Sequence, residues 1–197
     1  MSRTTHSDAV AHVQEANRLF LSWLQTLDDP ALEPIGFPLT AAPALRRSDS
    51  AALGALADFP RALFRLRFSP AAAVRAPGLN EIGAASVLTL TLLYCVWSIS
   101  RESTYLGRLF FGLTPREAHA LRTTPLSDLP GLALGAVSVE CAFAGAAWLW
   151  DRLLDETRPE RRRQLVLAAL QPAVEVLAAG EDRVAERLEA DSAPGPA

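Results

Sequence analysis

The chain has 197 residues, of which 50% are hydrophobic and 21% charged, and its formal net charge is −3 at pH 7. This length and apolar content suit one domain, or two small ones, and they exclude an intrinsically disordered chain. Its 2 cysteines are too few for a disulfide scaffold, and the negative charge excludes a generally basic nucleic-acid binder but allows a local basic patch. All 19 cationic side chains are Arg, so chemistry that needs Lys is excluded.

The amino-terminal residues are polar and acidic, and they lack the apolar segment of a secretory signal, so we expect a cytoplasmic protein. Two apolar stretches raise the question of membrane spans: residues 82–100 carry no charge, and residues 129–150 carry only Glu140. We expect buried helices instead, because polar side chains dilute the first stretch and a carboxylate is costly near the middle of a bilayer. A membrane hairpin of two spans is the alternative.

The first half of the chain is predicted to contain two helices and one strand. Apolar residues at alternating three- and four-residue spacing predict a helix over 7–27, with Asn17 on the same stripe. Residues 29–43 are rich in proline and glycine and predict an irregular connection, which a short helix at 50–58 follows. Strict alternation of apolar and basic residues over 62–68 predicts a half-buried strand.

The second half is predicted to have the same order of elements. A linker containing proline and glycine, at 69–81, precedes an apolar helix over 82–99. Thr114-Pro115-Arg116-Glu117 has the sequence of a helix start, with Thr as N-cap, Pro at the first helical position and Glu bonding back. Further elements are then expected in chain order: a short helix at 127–134, an alternating strand at 137–143, a helix at 144–154, a helix to 179 with a kink at Pro172, and a weak helix at 181–190.

These patterns predict a mainly α, bundle-like fold with two short β-strands. The two halves also match at a nearly constant offset, because Leu39-Thr40 and Leu113-Thr114 lie 74 residues apart and the predicted strand ends, Phe68 and Phe143, lie 75 apart. A true repeat predicts an internal duplication with a pseudo-twofold arrangement. The alternative is an accidental match, which chains rich in Ala and Leu readily produce.

The order of elements resembles the FlhD family of flagellar transcriptional regulators. In the second half the resemblance rests on Phe110-Phe111-Gly112-Leu113, on residues 129–133 and on Glu140-Cys141-Ala142-Phe143. In the first half it rests on residues 53–57 and 63–68, where Phe64 stands at the position of the family's strand cysteine. The resemblance implies a partial first copy at 1–68, the linker at 69–81, a second copy at 82–180 and a weak helix with a disordered tail at 181–197.

The resemblance also implies a function. Such a bacterial protein would join an FlhC-like regulatory subunit and activate transcription through contacts with that DNA-binding partner, and two fused copies would mimic the family's dimer. Self-association is also consistent with the resemblance. The alternative is a helical scaffold or chaperone-like subunit of a secretion or motility apparatus, with no nucleic-acid contact.

Three groups of residues are candidate contact sites. A buried Asn in an apolar seam sets the register of paired helices, which makes Asn17 a candidate partner contact; the alternative is that it touches water at the edge of the stripe. Arg65 and Arg67 share one face of the first strand and can pair with an acidic partner, or else face solvent. A cluster at a predicted turn and helix start is the candidate DNA contact, with a salt-bridged surface as the alternative: Arg158, Arg161, Arg162 and Arg163.

The sequence carries no pattern typical of catalysis, so we expect neither an enzyme nor a cofactor or metal site. The three histidines form no HExxH pair, and the two cysteines are too far apart for a zinc motif. No phosphate-binding glycine loop or nucleophile elbow occurs. Cys95 and Cys141 are expected to be inert core residues, with an intermolecular disulfide or redox role of Cys141 as the alternative.

Overall fold

A computed structural model describes residues 6–69, 83–144, 147–155, 160–161 and 164–165. Over these ranges the protein is mainly helical with a two-stranded antiparallel sheet, as the sequence predicts. A short 3₁₀ helix at Leu126–Asp128 precedes the eighth α-helix. The α-helices are α1 (His6–Gln25), α2 (Asp29–Leu32), α3 (Ala42–Arg47), α4 (Ser50–Ala57), α5 (Ala84–Glu102), α6 (Thr104–Phe111), α7 (Pro115–Thr123), α8 (Leu129–Gly135) and α9 (Ala147–Asp155).

Several predicted elements fall partly or wholly outside the described residues. The linker is described only at Ser69, and the kink at Pro172 and everything predicted from residue 181 onward are not described. The division of the chain into copies at 1–68 and 82–180 therefore stays a prediction. One continuous hydrophobic core contains residues of both halves.

The irregular connection expected at 29–43 is wrong in part, because α2 lies inside it and α3 begins at its end. The side chain of Asp28 accepts a hydrogen bond from the N–H of Ala31, and Pro30 occupies the first turn of α2. Both features favour a helix start, so a local capping signal was present in the sequence despite the high proline content.

The capping tetrad before α7 is confirmed. The hydroxyl of Thr114 accepts a hydrogen bond from the N–H of Glu117 at 3.2 Å, and the carboxylate of Glu117 accepts one from the N–H of Thr114 at 2.8 Å. Pro115 stands at the first helical position, where a missing N–H costs nothing.

The two strands, β1 (Phe64–Phe68) and β2 (Val137–Cys141), come from the two halves of the chain and pair antiparallel. Phe64 lies opposite Cys141, and Phe68 lies opposite Val137. The predicted alternation is confirmed along β1, where Phe64 and Leu66 are buried and Arg65 is exposed. The sheet therefore has one face in the core and one face toward solvent.

Phe143 was predicted to continue the second strand, and this is wrong. The strand ends at Cys141, and Phe143 has a left-handed backbone conformation with φ of +61°, which bulky residues rarely adopt. Its ring packs edge-on against Phe59 with a centroid distance of 6.0 Å. The backbone therefore turns here, and the ring is held by a contact with the first half of the chain.

The long helices α1 and α5 pack against each other and organise the core. α1 also packs on α4, while α5 packs on α6, α7 and α8. Rings connect the halves: Phe64 of β1 lies between Phe20 of α1, at 5.6 Å, and Phe111 of α6, at 6.0 Å. Phe64 thus links the sheet to α1 of the first half and to α6 of the second half.

The two halves are alike in several ways that agree with the predicted repeat. In each half a long helix is followed by three shorter ones and a strand. Phe20 and Trp23 in α1 stack at 6.1 Å, and Tyr94 and Trp97, 74 residues later, stack at 5.7 Å. A glycine with positive φ precedes the third helix of each half, and these are Gly36 and Gly112. No homologous sequence tests the duplication, so it stays a prediction.

In the described ranges, no helix combines the length and the apolar character that crossing a membrane requires.

The contact between α5 and α6 depends on Gly107. A Cβ atom at this position would collide with the hydroxyl of Ser100 and would lie 3.1 Å from its Cβ and 3.3 Å from its Cα. Ser100 is fully buried, so it has no space into which to move. Glycine is therefore required at position 107 because a larger residue would prevent the close approach of these two helices, and not because of its backbone conformation.

We predict that Gly107→Ala lowers the free energy of unfolding by about 1–3 kcal/mol, the usual cost of overpacking a core contact. Gly54→Ala is the matched control, since Gly54 also lies within a helix but has open space around it. This change should raise stability by about 0.5–1 kcal/mol through its backbone entropy and helix propensity. Urea denaturation of both variants measures the difference, and equal effects would contradict the steric explanation.

Candidate functional site

Asn17 is fully buried, and its carboxamide binds the backbone of the segment that leads from α4 into β1. Its Nδ2, with two hydrogens, lies 2.9 Å from the carbonyl oxygen of Arg61 and 3.3 Å from those of Ala57 and Phe59, so one hydrogen is shared between two acceptors. Its Oδ1 accepts a hydrogen bond from the N–H of Leu63 at 2.8 Å. One side chain therefore satisfies four backbone groups of a buried segment, which must be bonded somewhere.

This geometry corrects both interpretations of Asn17. The side chain has an exposed fraction of 0%, so it neither touches water nor offers a surface to a separate partner molecule. Its hydrogen bonds join α1 to residues 40 to 46 positions later, so it does not set the register of a helix pair. We therefore remove Asn17 from the candidate partner contacts.

Arg67 on β1 is engaged by an acidic residue of the neighbouring strand. Its Nε lies 3.1 Å from Oε1 of Glu140, and the Arg67 side chain is 72% exposed. The pair lies on the solvent face of the sheet, where such ion pairs contribute little to stability. Because its charge is already paired, Arg67 is a weaker candidate than Arg65 for contact with an acidic partner.

Arg65 lies on the same face but has a different neighbourhood. It stands opposite Glu140 in the sheet register, yet the carboxylate of Glu140 reaches toward Arg67 instead. The guanidinium of Arg65 lies beside Gly112, at the end of α6, together with that of Arg61. The structure thus groups Arg65 with Arg61, a residue that the sequence pattern had not singled out.

Arg61 is held in place by its surroundings. It is half-buried, and its guanidinium carbon lies 5.7 Å from the centroid of the Phe143 ring, in a cation–π arrangement. Burial lowers the pKa of Arg61, and the neighbouring charge of Arg65 lowers it further. Nothing in the sequence marked Arg61, because it precedes the alternating segment and contacts a ring 82 positions later.

The candidate DNA contacts lie mostly outside the described residues. Arg158, Arg162 and Arg163 are not described, and Arg161 is exposed on a helical turn. Arg161 has an interaction within the protein, so its guanidinium is not free. The DNA-binding role of this cluster stays a prediction.

Both cysteines belong to the apolar interior. Cys141 is fully buried on β2, and Cys95 packs partly buried against the core, where its thiol contacts the carbonyl of His12 at 3.7 Å. Burial raises the pKa of Cys95 to about 12. Burial, with a smaller contribution from the charge of Glu140, also raises the pKa of Cys141. Neither thiol is placed to form a reactive thiolate at neutral pH, since thiolate formation requires a low pKa and access.

Among the residues that the structure describes, no group of three or more His, Cys, Asp or Glu side chains is arranged to hold a metal ion. Two guanidiniums lie together beside Gly112. We define Arg61, Arg65 and Gly112 as the basic pair site.

No protein-family model, no curated protein and no solved structure matches this chain.

We predict that Asn17→Ala lowers the free energy of unfolding by about 2–4 kcal/mol, because several buried backbone groups lose their partner. Gln14→Ala is the control: Gln14 lies one turn earlier on α1 and donates one exposed hydrogen bond, to the carbonyl of Asp58 at 3.3 Å. Its loss should change stability by less than about 0.5 kcal/mol. Urea denaturation and hydrogen exchange at Leu63 measure both, and a stable Asn17→Ala with protected Leu63 would refute the assigned role.

We predict that stability falls as the pH rises through the ordinary thiol pKa of 9.0, because both folded thiols have raised pKa values. The unfolded chain then releases protons that the folded protein retains, which favours unfolding. Urea denaturation at about pH 8 and about pH 10 should show this fall, and the double variant Cys95→Ala, Cys141→Ala should show a smaller one. An identical pH dependence in the double variant would contradict the assignment.

Proposed function

We propose that this protein is a cytoplasmic, FlhD-like bacterial regulator that acts through contacts with a DNA-binding, FlhC-like partner subunit. In this proposal it is not an enzyme, and it activates transcription of flagellar or related promoters as part of the complex. The proposal rests on the resemblance in the order of elements and motifs, and the structure described above is compatible with it.

The observation that carries the proposal is the repeated order of helices followed by a strand, with the two strands paired. Two copies of a dimeric regulator fused in one chain would need a joint core, and a core shared by both halves is present. Phe111 and Gly112, which belong to the motif on which the resemblance rests, lie at the end of α6. A scaffold or chaperone-like subunit without DNA contact is the alternative.

We predict that the tagged full-length chain, purified from a nuclease-treated extract of its native host, carries a transcription-regulator subunit or RNA polymerase. Mass spectrometry of the bound proteins identifies it. Recovery of secretion or motility components instead would contradict the regulatory proposal and favour the alternative. A matrix carrying an unrelated helical protein of similar size is the control for adventitious binding.

The DNA contact is tested separately on the purified complex. We predict that Arg158→Ala with Arg161→Ala reduces the slope of log affinity against log salt by about 2, because each phosphate contact contributes about one unit. Arg116→Ala with Arg122→Ala removes the same charge from exposed positions on α7 and should leave the slope unchanged. Equal slopes for the two double variants would remove the predicted DNA role of the cluster.

A further inference from the structure

The basic pair site brings two cations to one point of the surface. An ideal Cβ on Gly112 would lie 2.8 Å from Nη2 of Arg61, 3.3 Å from Nη2 of Arg65 and 3.5 Å from Nε of Arg65. Both guanidiniums therefore lie within van der Waals reach of the same position, where a side chain on residue 112 would otherwise stand. Gly112 has a φ of +66°, so glycine is favoured there by the backbone as well.

Within the described residues, neither guanidinium has an acidic partner of its own. Ion pairs in this part of the chain engage Arg18, Arg46 and Arg67, and the carboxylate opposite Arg65 in the strand register, that of Glu140, pairs with Arg67. The pKa of Arg61 is lowered chiefly by burial and, to a smaller extent, by the neighbouring positive charge of Arg65.

Part of this charge is balanced by the helix that ends at the site. Gly112 follows the last residue of α6, and a helix carboxyl terminus carries roughly half a negative charge. Half a charge balances only part of the charge of two guanidiniums. Nε of Arg108, one turn earlier in α6, is also buried without a hydrogen-bond partner.

The side chain of Arg61 and the backbone of both arginines are held in place. Arg61 is fixed over the ring of Phe143, and the start of β1 is held by the hydrogen bonds of Asn17 to the carbonyl of Arg61 and the N–H of Leu63. Arg65 is anchored two residues further, inside the paired strand, and its side chain is exposed. A guanidinium held as that of Arg61 is held binds planar or tetrahedral oxyanions with a smaller loss of side-chain entropy.

We propose that Arg61 and Arg65 form an oxyanion-binding site beside Gly112. The ligand chemistry is that of a carboxylate, supplied by an acidic side chain of a partner protein, or of a phosphate group. The ligand oxygens accept hydrogen bonds from the two guanidiniums, whose close approach to Gly112 a side chain at that position would obstruct. The site stands on its own geometry and does not depend on the regulatory function proposed above.

The test follows the Nε–H resonances of the arginines by NMR in the full-length protein. Inorganic phosphate and N-acetylglutamate are titrated separately, with the ionic strength held constant by chloride. We expect saturable shifts with at least one probe. Saturation with phosphate only would identify the ligand as a phosphate group, and saturation with N-acetylglutamate only would identify it as a carboxylate. Shifts that grow linearly and do not saturate with either probe would overturn the proposal.

Variants separate the site from the general charge of the sheet face. Arg65→Gln should weaken binding of the active probe by roughly tenfold or more, since a charge-assisted hydrogen-bonding partner is lost. Arg67→Gln, made together with Glu140→Gln so that the freed carboxylate cannot pair with Arg65, removes the same positive charge two residues away and should change the affinity by less than about twofold. Equal losses in the two variants would overturn the proposal.

Two further variants test whether binding needs the planar guanidinium of Arg65 and whether it needs the partly buried Arg61. Arg65→Lys keeps the charge but loses the planar pair of donors, so its affinity should fall between those of the wild type and Arg65→Gln. Arg61→Gln should weaken binding as Arg65→Gln does. If Arg61→Gln fails to fold, the comparison of Arg65→Gln with the double variant Arg67→Gln, Glu140→Gln still decides the question. Full affinity in Arg65→Gln would mean that the pair serves only to stabilise the end of α6.

Discussion

The hydrogen bonds of Asn17 determine where β1 begins, and much of the remaining architecture depends on them. A segment that leaves a helix and enters a buried strand must bond its carbonyls and N–H groups, and between Ala57 and Leu63 there is no regular ladder to do so. The carboxamide of one α1 residue replaces that ladder. It fixes the first residue of β1, and thereby the register against β2 and the direction in which Arg61 and Arg65 leave the backbone.

Two neighbouring arginines on one strand therefore have different roles. Arg67 and Arg65 look equivalent in the alternating sequence, and both lie on the solvent face of the sheet. The carboxylate of Glu140 reaches diagonally to Arg67, so Arg65 is left to share the end of α6 with Arg61. The conformation of the Glu140 side chain therefore determines which arginine is available for a ligand. Alternation of apolar and basic residues along a strand does not predict that conformation.

The sequence was sufficient for the helical class, the two strands and the capping box of α7, because each depends on residues within a few positions of one another. It was insufficient for Asn17, whose partners lie 40 to 46 positions away, and for Phe143, whose backbone is turned by packing against Phe59. The sequence did not indicate Arg61 for the same reason. Its site consists of a strand, a distant ring and a helix end, and only the tertiary fold brings these together. Local patterns predict elements, whereas sites depend on contacts between them.

The two glycines with positive φ show how similar halves acquire different surfaces. Gly36 and Gly112 occupy matching places in the order of elements, but a Cβ on Gly36 would meet the Cβ of Ala144 at 3.0 Å, while one on Gly112 would meet two guanidiniums. The first half is covered by α9, whose buried Trp150 packs against Phe37 at 5.1 Å. At the second glycine the neighbours are cationic and partly exposed. If the halves arose by duplication, the same turn thus meets an alanine in one copy and two guanidiniums in the other.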